Sequence, residues 1–205
     1  MLGWFALSTG MAHAALCPEP PQIAVGAALT RLEPARRVTL VRGVDGDTAH
    51  FGVDGIDTKV RFLWVDTEEI HGPHATPFGA EVGRTVTGWM QRASTLHLMR
   101  QLDRAGQPHL DAYGRTLALV FVDGELLQAR LVREGLSPYY TKFGCAPGPV
   151  HQALLQSEAV ARGQHRGLWA DHHPTDYRLD RRWLGLPRIH CRPDPFTEPL
   201  CEARK

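Results

Sequence analysis

The sequence has no marked excess of either charge, no internal repeat and, beyond its first residues, no long apolar run. Its 23 lysines and arginines nearly balance 22 aspartates and glutamates, so the formal net charge is +1. A chain with this balance does not attract a polyanion through its overall field, and any binding of nucleic acid must depend on local charge. The lack of a second apolar run predicts that the protein makes no stable membrane insertion.

The first residues form an apolar run that has no lysine or arginine before it. Residues 2–11 are mostly apolar, and Ala12-His13-Ala14 then matches a small-x-small cleavage pattern. We therefore interpret residues 1–14 as the signal peptide of an exported protein, periplasmic or secreted. Because the basic residues are missing, a disordered or core-packed N-terminus is the alternative.

The cysteines lack any Cys-x-x-Cys arrangement, which argues against a zinc ribbon. There are four of them, Cys17, Cys145, Cys191 and Cys201. An even number in an exported chain favours disulfides. The proline-rich interval between Cys191 and Cys201 favours a local pair, which leaves Cys17 to pair with Cys145.

The remaining chain divides by composition and periodicity. Residues 15–36 are proline-rich with little periodicity and are interpreted as a linker, and residues 171–205 as a C-terminal extension. Residues 37–170 carry strand patterns at 37–44, 48–53, 58–65, 95–102 and 115–122. Helical patterns follow the third strand, at 78–90, and the fifth, from about 125 and from about 150. This order predicts an α+β, mainly β domain: a five-stranded OB-fold barrel with about three helices.

Three aspartates lie beside strand and turn signals. Asp45 and Asp47 are two residues apart, so they lie on the same side if the turn is extended, and Asp66 follows the third strand. Carboxylate oxygens are the ligands that a hard cation such as Ca²⁺ prefers. Taken alone, Asp-Gly-Asp is more readily a simple hairpin turn, since Asp and Gly are the usual turn residues.

Two arginines lie at the ends of strands. The guanidinium groups of Arg61 and Arg115 are always charged and present a planar fork that matches a phosphate. Strict strand alternation puts Arg61 and Asp66 on opposite faces. The strand must therefore end or bulge between them if both serve one site.

Glu69 is a candidate general base for an attacking water, with its neighbour Glu68 as the rival. Loss of Arg61, Arg115 or Glu69 is expected to slow turnover by roughly 10²–10³-fold.

In this order and spacing, three short motifs resemble the staphylococcal nuclease family. They are Val44-Asp45-Gly46-Asp47-Thr48, Arg61-Phe62-Leu63-Trp64-Val65-Asp66-Thr67 and Asp111-Ala112-Tyr113-Gly114-Arg115. Residues 131–136, 157–159 and 167–169 also resemble the end of the family domain, so that the resemblance covers about residues 37–170. Two departures stand out: Glu68 replaces the family's usual proline, and the loop 70–77 is shorter and poorer in lysine.

The resemblance implies an activity and a role for each site residue. Asp47, Asp66 and the backbone carbonyl of Thr67 would hold Ca²⁺, with Asp45 supporting them from behind. Glu69 would orient or deprotonate the attacking water, Arg61 and Arg115 would clamp the phosphate, and Tyr113 would contact the nucleotide. The substrates would be single-stranded or frayed DNA and RNA, cut by a monomer that leaves 3′-phosphate ends.

Two other functions remain open from the sequence. One is a catalytically silent OB-fold module that binds nucleic acid or an envelope protein. The other is a structural module of the cell envelope that works through its C-terminal extension. A pure binding module has no need for the full set of polar residues, which argues against the first, whereas nuclease-free binding to an envelope partner would support the second.

Overall fold

The computed structural model describes residues 31–142 and 145–170, which contain seven strands and three α-helices. The strands are β1 Arg31–Leu32, β2 Arg36–Gly43, β3 Thr48–Val53, β4 Ile56–Phe62, β5 Leu96–Leu102, β6 Thr116–Val122 and β7 Glu125–Leu126. The helices are α1 Pro77–Gln91, α2 Leu127–Arg133 and α3 Gly148–Gly163. Short 3₁₀ turns span Gly72–His74 and Gly167–Trp169.

Five of these strands form a closed barrel. The strand order is β1-β5-β2-β3-β4-β6-β7, and a further pairing between β5 and β6 closes it. Neighbours are antiparallel except β4 and β6, which run parallel with Arg61 opposite Leu117. The predicted five-stranded OB-fold barrel with three helices is confirmed.

Alternation along the barrel strands explains why they close around an apolar interior. On β3, Ala49, Phe51 and Val53 are buried, and on β4 Val60 and Phe62 are buried. The rings of Phe51 and Phe62 meet with their centroids 6.4 Å apart. Burial of these side chains supplies the main stabilising term for the barrel.

Helix α1 covers the barrel through the apolar stripe that its sequence predicts. Val82, Val86 and Met90 recur every four residues and are all buried in the main core. The helix begins at an N-cap, Thr76, whose hydroxyl accepts a hydrogen bond from the amide of Gly79 at 2.8 Å.

Helices α2 and α3 pack against each other, and the backbone segments that follow them approach closely at two glycines. The backbone at Gly135 lies so close to residues 166–167 that an added Cβ would meet the Arg166 oxygen at 2.1 Å. A Cβ on Gly167 would likewise meet the Gly135 oxygen at 2.3 Å. Both glycines have positive φ, so two separate constraints require glycine here.

Several predicted boundaries differ from the structure. The third strand ends at Phe62 rather than residue 65. Residues 125–126 form β7, so α2 begins two residues later than predicted. The end of the segment interpreted as a linker is paired, because Arg31 and Leu32 lie opposite Leu102 and Gln101 of β5.

The predicted signal peptide, most of the linker and the C-terminal extension lie outside the described residues, as do Cys17, Cys191 and Cys201. Cys145 is buried, and no described cysteine is a free thiol. Within the described ranges no helix has the length and apolar character to cross a membrane.

Candidate active site

The turn between β2 and β3 presents the first two aspartates. The Asp47 amide donates a hydrogen bond to Oδ1 of Asp45 at 2.9 Å, which fixes the turn. Gly46 is required by its surroundings, because an added Cβ would lie 2.6 Å from Val82 Cγ1 and 2.8 Å from the Thr67 side chain. The turn is therefore wedged between α1 and the residues that follow β4.

The carboxylate of Asp47 is buried and well supplied with donors. Its Oδ2 accepts hydrogen bonds from the Thr67 amide at 2.9 Å and the Thr67 hydroxyl at 3.2 Å. Its Oδ1 accepts one from the Thr48 hydroxyl at 3.0 Å. These bonds join two motifs that lie twenty residues apart in the sequence.

Arg61 lies between the two candidate metal-binding aspartates. Its Nε is 3.3 Å from Asp47 Oδ1, and its Nη2 donates to Asp66 Oδ1 at 2.8 Å. Its Nη1 donates to the carbonyl oxygens of Phe62 and Val65, each at 2.8 Å. The Arg61 side chain is only 13% exposed. Its guanidinium is thus a largely buried charge partner of both Asp47 and Asp66.

The chain makes a sharp change of direction between Arg61 and Asp66. Strand β4 ends at Phe62, and Trp64 has a φ of 59°, a left-handed conformation that is unfavourable for a bulky residue. The prediction that the strand must end between Arg61 and Asp66 is confirmed. This turn is what allows the two side chains to meet despite their odd spacing.

The two adjacent glutamates are placed differently. Glu68 is 1% exposed and its carboxylate accepts a hydrogen bond from the hydroxyl of Thr76, the N-cap of α1. Glu69 is only partly buried, and its carbonyl oxygen accepts from the Thr76 amide at 3.0 Å. An added Cβ on Gly79 would lie 2.4 Å from this same oxygen, so the start of α1 packs directly on the glutamates.

Arg115 is held by a compact loop ahead of β6. Its Nε and Nη2 both lie 2.7 Å from Asp111 Oδ2. Oδ1 of Asp111 accepts the backbone amides of Tyr113 and Arg115, each at 2.9 Å. Burial acts to raise the pKa of Asp111, but the hydrogen bonds from Arg115 and Tyr113 outweigh it and hold the pKa below its ordinary value. Tyr113 is 83% exposed beside the guanidinium, which is 5.2 Å from the ring centroid.

Thr48 connects the two halves of the site. Its hydroxyl donates to Asp47 and accepts from Nη1 of Arg115 at 3.4 Å, while its backbone lies opposite Arg61 in the sheet. The structure thus brings Asp47, Arg61, Asp66, Thr67 and Arg115 together, with Tyr113 at the exposed rim of the same loop as Arg115. Glu69 lies just beyond Thr67 along the chain.

Asp45 lies behind this cluster in a poorly solvated place. Burial raises the pKa of Asp45 to about 7, and the nearby negative charge of Asp47 adds to the rise. Asp45 supports the turn through the hydrogen bond that it accepts from the Asp47 amide.

The donor atoms at the site are all oxygens. Asp47, Asp66 and the Thr67 carbonyl provide two carboxylates and one neutral oxygen, with no histidine or cysteine. This set fits a hard cation such as Ca²⁺, which completes its coordination with water and substrate oxygens, and does not fit zinc. Across residues 31–142 and 145–170 no cluster of three or more His, Cys, Asp or Glu is arranged to hold a metal ion.

One residue that contacts the site was not identified from the sequence. Ser137, between α2 and α3, is fully buried and its Oγ accepts the Asp66 amide at 2.8 Å. The two residues are 71 positions apart, and no local pattern around a Ser-Pro pair indicates this contact.

A family model described as staphylococcal nuclease homologue matches residues 59–171 of the chain. This range contains Arg61, Asp66, Thr67, Glu69 and Arg115, and it begins after the Asp45–Asp47 turn.

Curated relatives are similar to the chain over longer stretches. The chain is 35% identical to the SPbeta prophage-derived endonuclease YokF of Bacillus subtilis over 150 residues, 72% of this chain but 48% of that protein. It is 31% identical to protein ParB of Escherichia coli over 149 residues, 68% of this chain and 76% of that protein. It is 33% identical to the thermonuclease of Staphylococcus intermedius over 129 residues, 62% of this chain and 73% of that protein. The chain therefore spans about half of the first relative and about three quarters of the other two.

Proposed function

Because the chain belongs to the staphylococcal nuclease family, we propose that it is an exported, Ca²⁺-dependent nuclease that hydrolyses DNA and RNA with little sequence preference. Family membership supports a nuclease function in general. The observation that carries the finer proposal is the arrangement of two arginines around Asp47: Arg61 at 3.3 Å, and Arg115 through the hydroxyl of Thr48.

The two arginines bind and neutralise the scissile phosphate. A guanidinium has five N–H donors. The contacts of Arg61 with Asp47, Asp66 and two carbonyls leave one N–H on Nη2 for substrate. Arg115 uses three of its donors on Asp111 and Thr48 and keeps two. Charge placed beforehand where negative charge develops is the largest contribution that a protein makes to such a reaction.

Glu69 orients the attacking water and accepts its proton. The rival, Glu68, is buried and its carboxylate is bound to the N-cap of α1, which favours the partly exposed Glu69. In-line attack of the water forms a new bond to phosphorus while the bond to the 5′ oxygen breaks, which gives a 3′-phosphate and a 5′-hydroxyl that takes its proton from solvent. Asp47, Asp66 and the Thr67 carbonyl would hold a Ca²⁺ ion, which would supply Lewis-acid stabilisation of the phosphate charge.

Tyr113 provides a reason for a preference for single strands. Its ring is 83% exposed and lies beside the guanidinium of Arg115. An aromatic ring in such a place stacks on an unpaired base of any identity, and a base inside a duplex is not available to it.

Digestion of heat-denatured and duplex DNA by the purified protein, with Ca²⁺ or with EGTA, tests the proposal. Cleavage is expected to need Ca²⁺, to be faster on denatured DNA and to fall to the EGTA level in Asp47→Asn. Asp57→Asn is the matched control, because Asp57 is an exposed carboxylate on β4 that contacts His50 at 2.7 Å.

A folded sample that cleaves nothing with Ca²⁺, Mg²⁺ or Mn²⁺ would favour the silent OB-fold module instead. A gel-shift assay with the same DNA would then show whether nucleic acid is bound at all. Equal loss of cleavage in Asp47→Asn and Asp57→Asn would contradict the placement of the site.

A further inference from the structure

The backbone of residues 64–66, the turn that follows β4, is held by hydrogen bonds to residues outside the turn. The carbonyl oxygen of Trp64 accepts from the Tyr140 amide at 2.9 Å. The carbonyl oxygen of Val65 accepts from Nη1 of Arg61 at 2.8 Å. The amide and the carbonyl oxygen of Asp66 both contact Oγ of Ser137, at 2.8 Å and 3.2 Å. The backbone of this turn is thus held by Arg61 from the preceding strand and by Ser137 and Tyr140 from the connection between α2 and α3.

We propose that Ser137 is a positioning residue for the reaction: its hydroxyl fixes the peptide planes on both sides of Asp66 and thereby aims the Asp66 carboxylate. This inference rests on the proposed function, since Asp66 acts only if the site binds a cation and a phosphate. It goes beyond that function by assigning a role to the connection between α2 and α3, which contributes no side chain to the candidate set of Asp47, Arg61, Asp66, Thr67, Glu69 and Arg115.

The chemistry of the contact requires a hydroxyl. Oγ accepts the Asp66 amide hydrogen with a lone pair and has one hydrogen to share between the carbonyls of Asp66 and Pro138, at 3.2 Å and 2.9 Å. Ser137 is 0% exposed, so water cannot replace these contacts in the folded state. Alanine would remove the hydrogen bond that the buried Asp66 amide donates to Oγ of Ser137.

The turn needs such support because its backbone does not prefer this conformation. Trp64 has a φ of 59°, and a non-glycine residue persists in that region only where its surroundings impose it. If the Ser137 contact is lost, the turn can relax by rotating the Asp66 peptide planes. That rotation changes the direction of the carboxylate that Arg61 holds at 2.8 Å, and with it the carbonyl of Thr67.

The segment that carries Ser137 is itself held in place. The hydroxyl of Tyr139 accepts the Ala146 amide at 2.8 Å and contacts Nδ1 of His151 at 2.7 Å. The amide of Tyr139 donates to the Glu158 carboxylate at 3.1 Å. Ser137 is therefore fixed against α3, which gives its hydroxyl a defined position from which to hold Asp66.

The test compares three variants in the full chain: Ser137→Ala, Ser137→Thr and Ser157→Ala. Ser157→Ala makes the same deletion at another buried serine, on α3 and outside the turn. Three measurements are made on each: exchange of the Asp66 amide by NMR, the Ca²⁺ concentration that half-saturates the shift in melting temperature, and the kinetics on denatured DNA, which give kcat and KM.

Ser137→Ala is expected to speed exchange at Asp66, to raise the half-saturating Ca²⁺ concentration and to lower kcat, the last two by about 10–100-fold. KM for DNA should change little. Ser137→Thr should restore most of each effect because it keeps the hydroxyl. A drop in melting temperature with the Ca²⁺ midpoint and kcat unchanged would overturn the proposal, as would equal losses in Ser157→Ala.

Failure of this inference is distinguishable from failure of the proposed function. A wild-type protein without any Ca²⁺ response or cleavage removes the proposed function and the role of Ser137 in it. A wild-type protein that responds and cleaves, beside a Ser137→Ala variant that matches it in all three measurements, overturns only the role of Ser137.

Discussion

Arg61 and Arg115 carry the same guanidinium group, but the chain holds them in different ways. On the Arg61 side, one hydrogen bond connects Thr67 to Asp47, 20 positions apart, and another connects Asp66 to Ser137, 71 positions apart. Arg115 is held chiefly by Asp111, four positions away in the same loop. Their side chains are 13% and 22% exposed, respectively.

The difference separates stability from chemistry within one site. On the Arg61 side the functional groups are also structural, because the same ion pairs that would serve catalysis hold the turn after β4 to the rest of the barrel. On the Arg115 side a self-contained loop presents the charge and the fold depends on it little. Mutations in the two regions should therefore differ in kind, although the sequence alone predicts equal effects.

The largest expected difference between the two sides of the site appears when each arginine is replaced by glutamine. Both Arg61→Gln and Arg115→Gln are expected to slow cleavage by roughly 10²–10³-fold. Arg61→Gln should also lower the free energy of unfolding by about 3–5 kcal/mol, because the buried carboxylates of Asp47 and Asp66 lose their charge partner. Arg115→Gln should cost about 1 kcal/mol or less. Urea unfolding and initial rates measure both quantities.

Arg92→Gln, at the exposed end of α1, serves as the control for loss of an arginine charge. If the two site variants lose the same amount of stability, the distinction between a structural and a self-contained arginine is wrong.

A smaller effect is expected from Asp111→Asn, which tests whether the Arg115 loop acts alone. The variant weakens the two contacts at 2.7 Å that aim the guanidinium, and misplacement of a catalytic group costs up to about 10²-fold in rate. We expect a loss of about tenfold, below that of Arg115→Gln, since the charge itself remains. Initial rates with both variants and with the double variant measure it.

The low pKa of Asp111 sets the pH dependence of this effect. Its contribution to stability is present above the unfolded pKa of about 3.9 and is lost as the pH falls through the lower folded value. Wild type and Asp111→Asn should therefore differ in stability by a constant amount from pH 7 to 5. A difference that disappears already at pH 6 would contradict this assignment.

The smallest expected effect is a pH dependence of stability that comes from His151. It should affect only the Arg61 side of the site, because His151 contacts the segment that carries Ser137. Burial lowers the pKa of His151, so as the pH falls below about 6.5 the unfolded chain takes up this proton before the folded one. Wild-type stability should then fall relative to His151→Asn between pH 7 and 5, as followed by urea unfolding. Glu158, whose pKa burial raises, works in the opposite sense but is common to both proteins and cancels in the difference.

Hydrogen exchange of the Asp66 and Arg115 amides at pH 7 and pH 5 gives a second measurement of the effect of His151. Relative to the intrinsic exchange rate at each pH, protection of the Asp66 amide should fall on acidification more than that of the Arg115 amide in wild type, and this excess should be absent from His151→Asn. Parallel stability curves for the two proteins would show that His151 does not hold this segment.

The sequence predicted those features that leave a local pattern. Loose alternation marked β2, a continuous apolar run marked β6, helical spacing marked α1 through Val82, Val86 and Met90, and turn residues marked Asp45-Gly46-Asp47. The odd spacing of Arg61 and Asp66 even required the strand to end between them. Each of these inferences depends on residues within about one helix or strand length.

Features that depend on distant contacts were not predictable in this way. The left-handed backbone at Trp64 is imposed by bonds from Tyr140 and Ser137, more than seventy residues further along, and a tryptophan gives no sign of it. The pairing of Arg31 and Leu32 with β5 was missed for a similar reason. Glu33, just beyond, is buried against Arg100, and nothing near it in the sequence indicates that partner.

The close approach of Gly135 and Gly167 has a consequence for the time at which the protein becomes active during its synthesis. A nascent chain emerges from its N-terminus, so Asp47, Arg61 and Asp66 are made long before Ser137. The segment with Ser137 follows Gly135, whose backbone seats against that of Gly167, and the Leu168 amide bonds the Gly135 carbonyl at 2.8 Å. Nearly the whole domain must therefore be synthesised before Ser137 can hold the turn at Asp66. An incomplete chain carries Asp47, Arg61 and Asp66 but lacks the contact proposed to aim the Asp66 carboxylate.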